Sequence, residues 1–248
     1  FNDFGISCNG ANDGFIGLDV SGGVGSYTYA WTLDGDPFPA FVEFINELSP
    51  GLYQCVVTDA NNCEIIYSHE ITEPNVLELT ANPSNFNEFE ISCNGENDAY
   101  IEVDISGGTG QNSYSYEWTL DGNFYSNEED IYNLGPGFYL LTVTDLNGCD
   151  ISYNHTVEED TAVEVELSAY SDFNGYGVQC NGDNNGFIDI NPSGGSGVYQ
   201  FQWSGTDLNG NTIDLGVQIS NQNLIDLEAG FYSVIVTDDH DCINQEEF

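Results

Sequence analysis

Seven cysteines and a recurring set of Asn- and Asp-rich turns are the residues of this chain best placed to do chemistry. Six of the cysteines fall in register. Cys8, Cys93 and Cys180 each open a Cys-Asn-Gly phrase, and Cys63, Cys149 and Cys242 each close a Thr-Asp-x-x-x-Cys phrase. Zinc ligation would call for clustered Cys-x-x-Cys spacings, and there are none. Disulfides are the better reading, and equivalence across the repeats predicts the pairs Cys8–Cys63, Cys93–Cys149 and Cys180–Cys242. Each would close a loop of about 55 to 62 residues, worth roughly 4 kcal/mol in the chain-entropy model. Cys55 is left over. It stands where the other copies place Leu141 and Val234, which predicts a buried free thiol acting as a core hydrophobe. Disulfides imply an oxidising exterior.

The turns supply hard oxygen ligands: Asn12 and Asp13 with Asp59, Asn61 and Asn62 in the first copy, and Asn97 and Asp98 with Asp145 and Asn147 in the second. Calcium takes six to eight such oxygens, so it is the cofactor these positions would hold. The same residues also form turns unaided, through Asx hydrogen bonds, and no twelve-residue EF-hand loop is present. Both readings stand on the sequence. No catalytic residue is assigned. There is no Gly-x-Ser-x-Gly, His-Glu-x-x-His or phosphate loop, and His69 and His155 occupy equivalent places, as structural residues do. Paired carboxylates carry no information in so acidic a chain.

The elements that must position these groups repeat three times, about 86 residues apart, which suits one small β-domain rather than a solenoid turn. In the second copy Ile101, Val103 and Ile105 alternate with Glu102 and Asp104, which is the period of a strand. Val76 to Ala81 reads as a first strand, Glu88 to Cys93 as a continuation toward the cysteine, and Ile131 to Leu134 and Ile151 to Val157 as later ones. Tyr114, Tyr116 and Trp118 alternate toward Asp121-Gly122, a hairpin signal. Tyr27, Tyr29 and Trp31, and Tyr199, Phe201 and Trp203, repeat this strand. Its spacing favours core packing over a sugar-stacking platform. Tyr53, Tyr139 and Tyr232 each follow a Gly-x and open a strand, the place of a tyrosine corner. No helical period appears. The expected fold is all-β: a tandem array of three immunoglobulin-like β-sandwich modules over residues 1–74, 75–160 and 161–248, the outer two truncated. Short linkers at Glu73-Pro74-Asn75 and Glu159-Asp160-Thr161 predict a semi-stiff rod.

Composition removes whole classes of partner. The 248 residues hold no Lys or Arg against 42 Asp plus Glu, a formal net charge of −42. Without cations nothing displaces counterions from phosphate, which excludes nucleic acid, and an anionic membrane surface is excluded likewise. Trypsin-like proteases find no site. With 40 % apolar and 13 % aromatic residues, the chain nevertheless holds enough to build packed cores. It opens in mid-motif, and reads as a segment of a longer protein whose targeting signals lie elsewhere.

Four blocks occur in order: Cys8 to Gly14, Ser21 to Trp31, Leu48 to Tyr53 and Val57 to Cys63. They return as Cys93 to Asp98, Ser106 to Trp118 (with two extra residues before Tyr114), Leu134 to Tyr139 and Val143 to Cys149. A looser third copy has Asn184-Asn185-Gly186 and Glu228-Ala229-Gly230. The combination resembles the SprB repeat of very large surface adhesins in gliding Bacteroidota. The resemblance implies a cell-surface, outer-membrane-attached filament exported by the type IX system, serving adhesion and gliding motility. Its expected partners are neighbouring repeats of the same chain and a glycan or abiotic surface. A pure structural stalk, or accessory carbohydrate-binding modules of a secreted polysaccharide enzyme, are the alternatives.

Overall fold

The computed structural model describes residues 4–86, 88–110 and 113–248; Gln111 and Asn112, the extra pair before Tyr114, lie outside them. The first repeat forms β1 (Gly14–Gly17), β2 (Thr28–Leu33), β3 (Asp36–Phe38), β4 (Phe44–Leu48), β5 (Gly51–Thr58) and β6 (Glu64–Ile71). The second forms β7 (Asn75–Pro83), β8 (Ala99–Gly108), β9 (Ser115–Leu120), β10 (Asn123–Ser126), β11 (Ile131–Leu134), β12 (Gly137–Thr144) and β13 (Asp150–Val157). The third forms β14 (Glu164–Tyr170), β15 (Gly186–Ser193), β16 (Tyr199–Asp207), β17 (Leu224–Leu227), β18 (Gly230–Asp238) and β19 (Ile243–Glu247). A single 3-10 turn, Gly216–Ser220, is the one helical element among the described residues. The fold is all-β and immunoglobulin-like, as the two-residue periodicity predicts. Glu88 to Cys93 departs from expectation: bends and the lone bridge Phe86↔Phe89 replace a strand, because Asn85 Oδ1 accepts the Glu88 N–H and turns the chain there.

Sheet order repeats with the sequence. The orders β3-β2-β5-β6, β10-β9-β12-β13 and β16-β18-β19 describe one kind of sheet, and β1-β4, β11-β8-β7 and β14-β15-β17 the other. In the first repeat Ile16, Ile45 and Leu48 from one sheet pack with Trp31, Tyr53, Cys55 and Val57 from the other. In the third, Ile188, Ile190, Leu224 and Leu227 meet Trp203, Tyr232, Val234 and Val236 in the same way. The alternation of β5, with Tyr53, Cys55 and Val57 buried between partly exposed neighbours, is what one buried face requires. The hairpins β2–β3 and β9–β10 turn through Asp34-Gly35 and Asp121-Gly122, all four at positive φ, which is the twist-matching type that Asp-Gly favours.

The three tryptophans are 2 %, 0 % and 1 % exposed. Each donates its indole N–H to a backbone carbonyl, Trp31 to Val42 (2.9 Å), Trp118 to Glu129 (3.3 Å) and Trp203 to Asn221 (2.8 Å). The tryptophans of the aromatic strand are therefore core, and Tyr27, Tyr29, Tyr199 and Phe201 pack half-buried against it. Two of the expected tyrosine corners are explicit: Tyr53 donates to the Ser49 carbonyl at 3.1 Å and Tyr232 to that of Glu228 at 2.8 Å. Burial, with the Glu228 carboxylate adding to it, pushes the Tyr232 hydroxyl up to about 12. His69 and His155 stack on Tyr67 and Tyr153 on β6 and β13.

The chain packs as two compact units. One comprises Phe1–Asn82, Glu102–Glu129 and Tyr139–His155, the other Pro83–Ile101, Asp130–Phe138 and Thr156–Phe248. Residues of the second repeat contribute to both. No helix among the described residues is long and apolar enough to cross a membrane.

Candidate functional site: the cysteine turns

Two kinds of turn carry the six registered cysteines. The first follows Cys8, Cys93 and Cys180, where Ala11, Glu96 and Asp183 each donate a backbone N–H to the cysteine carbonyl at 3.0 Å. A carboxylate or amide closes the turn from behind: Asp13, Asp98 and Asn185 accept the N–H of Ser7, Ser92 and Gln179 at 3.0, 3.1 and 3.0 Å. The Asn-Gly after the cysteine holds the end of its own repeat. Asn9 Nδ2 donates to the Pro74 carbonyl and the Gly10 N–H to the Glu73 carboxylate, at 2.9 and 2.8 Å. Asn94 and Gly95 hold Asp160 and Glu159 in the same way. That accounts for the Cys-Asn-Gly motif.

The second kind precedes Cys63, Cys149 and Cys242 and is built on Asp59, Asp145 and Asp238. One oxygen of each carboxylate accepts two backbone N–H groups of the turn: from Asn61 and Cys63, from Asn147 and Cys149, and from His240 and Cys242, all at 2.8–2.9 Å. The other oxygen reaches the Gly-rich loop, accepting from Val24, Thr109 and Ser196. The Cys63 and Val24 N–H groups hold the Asp59 carboxyl below its ordinary range. Burial works to raise those of Asp145 and Asp238, but the N–H groups of Cys149 and Thr109, and of Ser196 and Cys242, overcome it and leave both lowered. Asp13 is lowered by the Ser7 hydroxyl and N–H.

The pairing of these turns corrects the expectation from register. The bridges are Cys8–Cys149 and Cys93–Cys242, with Cα–Cα distances of 5.8 and 5.5 Å. Cys55, Cys63 and Cys180 are free, the first buried and the other two exposed. Each bridge thus joins the first-type turn of one repeat to the second-type turn of the next. Cys8–Cys63 fails for a geometric reason. Cys63 opens β6, while the Cys8 turn is tied to Glu73 and Pro74 beyond its other end. A strand of eight residues separates them by about 25 Å, where a disulfide tolerates no more than about 7 Å between Cα atoms. Cys93 and Cys149 fall in different units. Cys242 opens β19, while Gly177, just before the Cys180 turn, lines a pocket with Glu247 and Phe248 at its far end. Tryptophan therefore does not pack on a disulfide within its own sandwich. Trp31 lies opposite the Cys55 thiol in the β2–β5 register instead.

The calcium expectation meets the same geometry. Asp13 and Asp59, proposed together with Asn12, sit at opposite ends of β6; Asn97 and Asp98 lie in the unit that does not hold Asp145. Asp13, Asp59, Asp98 and Asp145 already accept backbone N–H groups. Among the described residues no three His, Cys, Asp or Glu side chains are grouped to hold a metal. A pocket of about 540 Å³ at the end of the third repeat is lined by Tyr170, Tyr176, Leu227, Tyr232 and Phe248. In the first repeat the ground beside the Cys8 turn is filled by Ile71, 2 % exposed, which closes on Gly5.

Asp238, the third member of its set, and Ser7, whose carbonyl flanks a bridge, are residues that sequence reasoning passed over. The signal for Asp238 was present in the thrice-repeated Thr-Asp-x-x-x-Cys.

The SprB repeat family matches residues 6–35, 90–123 and 178–208. Three segments of this chain carry the SprB repeat. The matched segments run from the first-type cysteine turn into or just past the aromatic strand of each repeat. A comparison with curated proteins gives no match. Solved structures similar to this SprB-repeat chain include the three N-terminal domains of the bacteriophage RB49 highly immunogenic outer capsid protein. That likeness has 14 % identity over 95 % of this chain and 92 % of the other, with a TM-score of 0.45. Immunoglobulin domains 1–5 of Sidekick-1 match at 12 % identity over 96 % and 54 %, with a TM-score of 0.28. A Bacteroides ovatus glucan-utilisation protein, SGBP-B in complex with a mixed-linkage heptasaccharide, matches at 13 % over 95 % and 62 %, with a TM-score of 0.23.

Proposed function

We propose that this chain is a repetitive segment of a secreted cell-surface adhesin of gliding Bacteroidota, attached at the outer membrane and exported by the type IX system. The observation that carries the reading is the threefold SprB match in a chain whose two disulfides join one repeat to the next. Disulfides fit an oxidising exterior. The net charge of −42 suits a surface bathed in screening ions. The segment performs no turnover of its own. It presents repeated acidic surfaces to a glycan or an abiotic solid, and neighbouring repeats are its first partners. Antibody against the segment should label intact cells, and proteinase K should remove the label while trypsin spares the segment itself. In-frame deletion of the repeats should abolish attachment of cells to glass and movement of surface-bound beads. Labelling only after lysis, or a polysaccharide hydrolase domain in the same open reading frame with motility intact after deletion, would overturn the proposal.

A further inference from the structure

Cys63 and Cys180 are both exposed and unbridged, and each is one half of a joint that the same chain completes elsewhere. Cys180 sits in a first-type turn with the geometry of Cys8 and Cys93: Asp183 donates to its carbonyl at 3.0 Å, and Gln179 donates to Asn185 at 3.0 Å. Cys63 sits in a second-type turn with the geometry of Cys149 and Cys242, clasped by Asp59 Oδ1 at 2.9 Å. At the completed joints the contact extends beyond sulfur. Asn147 Nδ2 donates to the Ser7 carbonyl at 2.8 Å beside Cys8–Cys149, and Cys242 Sγ lies 3.2 Å from the Ser92 carbonyl beside Cys93–Cys242. Asn61 holds Asn147's place next to Cys63, and its side-chain amide has no partner among the described residues. Gln179 holds the place of Ser7 and Ser92 next to Cys180.

We propose that Cys63 and Cys180 are complementary docking cysteines, each forming a disulfide with the opposite-type cysteine turn of a further repeat of this kind. A first-type turn meets a second-type turn in both observed bridges, so the contact is head-to-tail and, where its rotation does not close a ring, adds repeats without limit. Both halves are already folded, so joining them orders little new chain. In the covalent step the two thiols lose two protons and two electrons to an external disulfide oxidant. One sulfur–sulfur bond forms between repeats, and the oxidant's own disulfide is reduced to two thiols. The inference does not rest on the adhesive reading, since a stalk would use the same joint.

A second copy of this chain supplies the partner for a test. The full chain, with Cys8–Cys149 and Cys93–Cys242 intact, is concentrated in a buffer of oxidised and reduced glutathione. Non-reducing electrophoresis and mapping with a Glu-specific protease then follow. Covalent multimers are expected in which the Cys63–Cys180 junction exceeds either like-with-like junction by about ten-fold, a preference of about 1.4 kcal/mol. C63S alone and C180S alone should form no more than about a tenth of that covalent product, and mixing the two should yield dimers and nothing longer. N61A should lower the yield several-fold with both native bridges unchanged. Junctions at collision frequency, a Cys63–Cys180 bridge within one chain, or no covalent multimers at all would each overturn the proposal.

Discussion

At the scale of single residues, the aspartates of the second-type turns matter more than their exposure suggests. Asp145 is buried and accepts N–H groups from Thr109, Asn147 and Cys149. Asp145→Asn keeps the shape but removes the charge that strengthens those bonds, and should cost about 1–3 kcal/mol at neutral pH, read by thermal or urea unfolding. The pH dependence has a definite sign. A carboxyl lowered in the folded state contributes stability that is present above its unfolded value, near 3.9, and lost as pH falls through the lowered folded value. The gap between wild type and Asp145→Asn should therefore be widest above about pH 5 and narrow on acidification below pH 4. A gap unchanged at low pH would show that the charge is not what the N–H groups recognise. Cys55 offers a contrasting case. It is 0 % exposed, and burial raises its thiol, so native protein should leave it unreactive to a thiol reagent that labels Cys63 and Cys180. Cys55→Val, the residue the third repeat uses, should change stability by less than about 1.5 kcal/mol, whereas Cys55→Ser buries a hydroxyl and should cost about 1–3 kcal/mol.

Among the elements, one glycine shows how the sheets constrain sequence. A Cβ on Gly107, at φ +80, would stand 1.7 Å from the Val76 carbonyl oxygen on β7, and one on Gly194 would stand 1.9 Å from that of Ala162. The matching Gly22, at φ +90, has nothing within 4 Å. Gly107→Ala should cost at least about 3 kcal/mol by forcing β7 away from β8, while Gly22→Ala should cost only the backbone strain of about 1 kcal/mol. Equal losses in denaturant unfolding would remove the close approach as the cause. The strands themselves were legible: Ile101 and Val103 on β8, Trp118 on β9 and Leu141 on β12 advertise their buried face by alternation, and the Gly-x-Tyr openings place the starts of β5, β12 and β18 to within two residues. The bridges were not legible from register. Register says which cysteines are alike, whereas pairing depends on which end of a strand each occupies. The length of β6 between Cys63 and Pro74 held the missing signal, since a fully extended stretch of that size keeps its two ends apart. The calcium grouping likewise assumed that both turns of a repeat share one end, whereas the length of β6 keeps Asp13 and Asp59 apart.

For the whole molecule, charge and covalent linkage dominate. With no cation to offset 42 carboxylates, self-repulsion should make the melting temperature climb by several degrees between about 10 mM and 500 mM sodium chloride. Calcium adding a saturable increment beyond sodium at matched ionic strength would place an ion on the acidic turns after all. Reducing the two bridges, which span 141 and 149 residues, should remove about 2–5 kcal/mol apiece. The two spans also interleave, because Cys93 lies inside the first and Cys149 inside the second. If the chain is pulled by its ends, tension enters at Cys8, crosses to Cys149, runs backward to Cys93 and leaves through Cys242. Only about 70 residues then lie along the taut path, so the chain stops extending near 240 Å instead of the roughly 850 Å of its full contour. Even with its sandwiches torn open, each end would remain tethered to the other by a short leash, and shear would be met by a chain that cannot be drawn out into a loose thread.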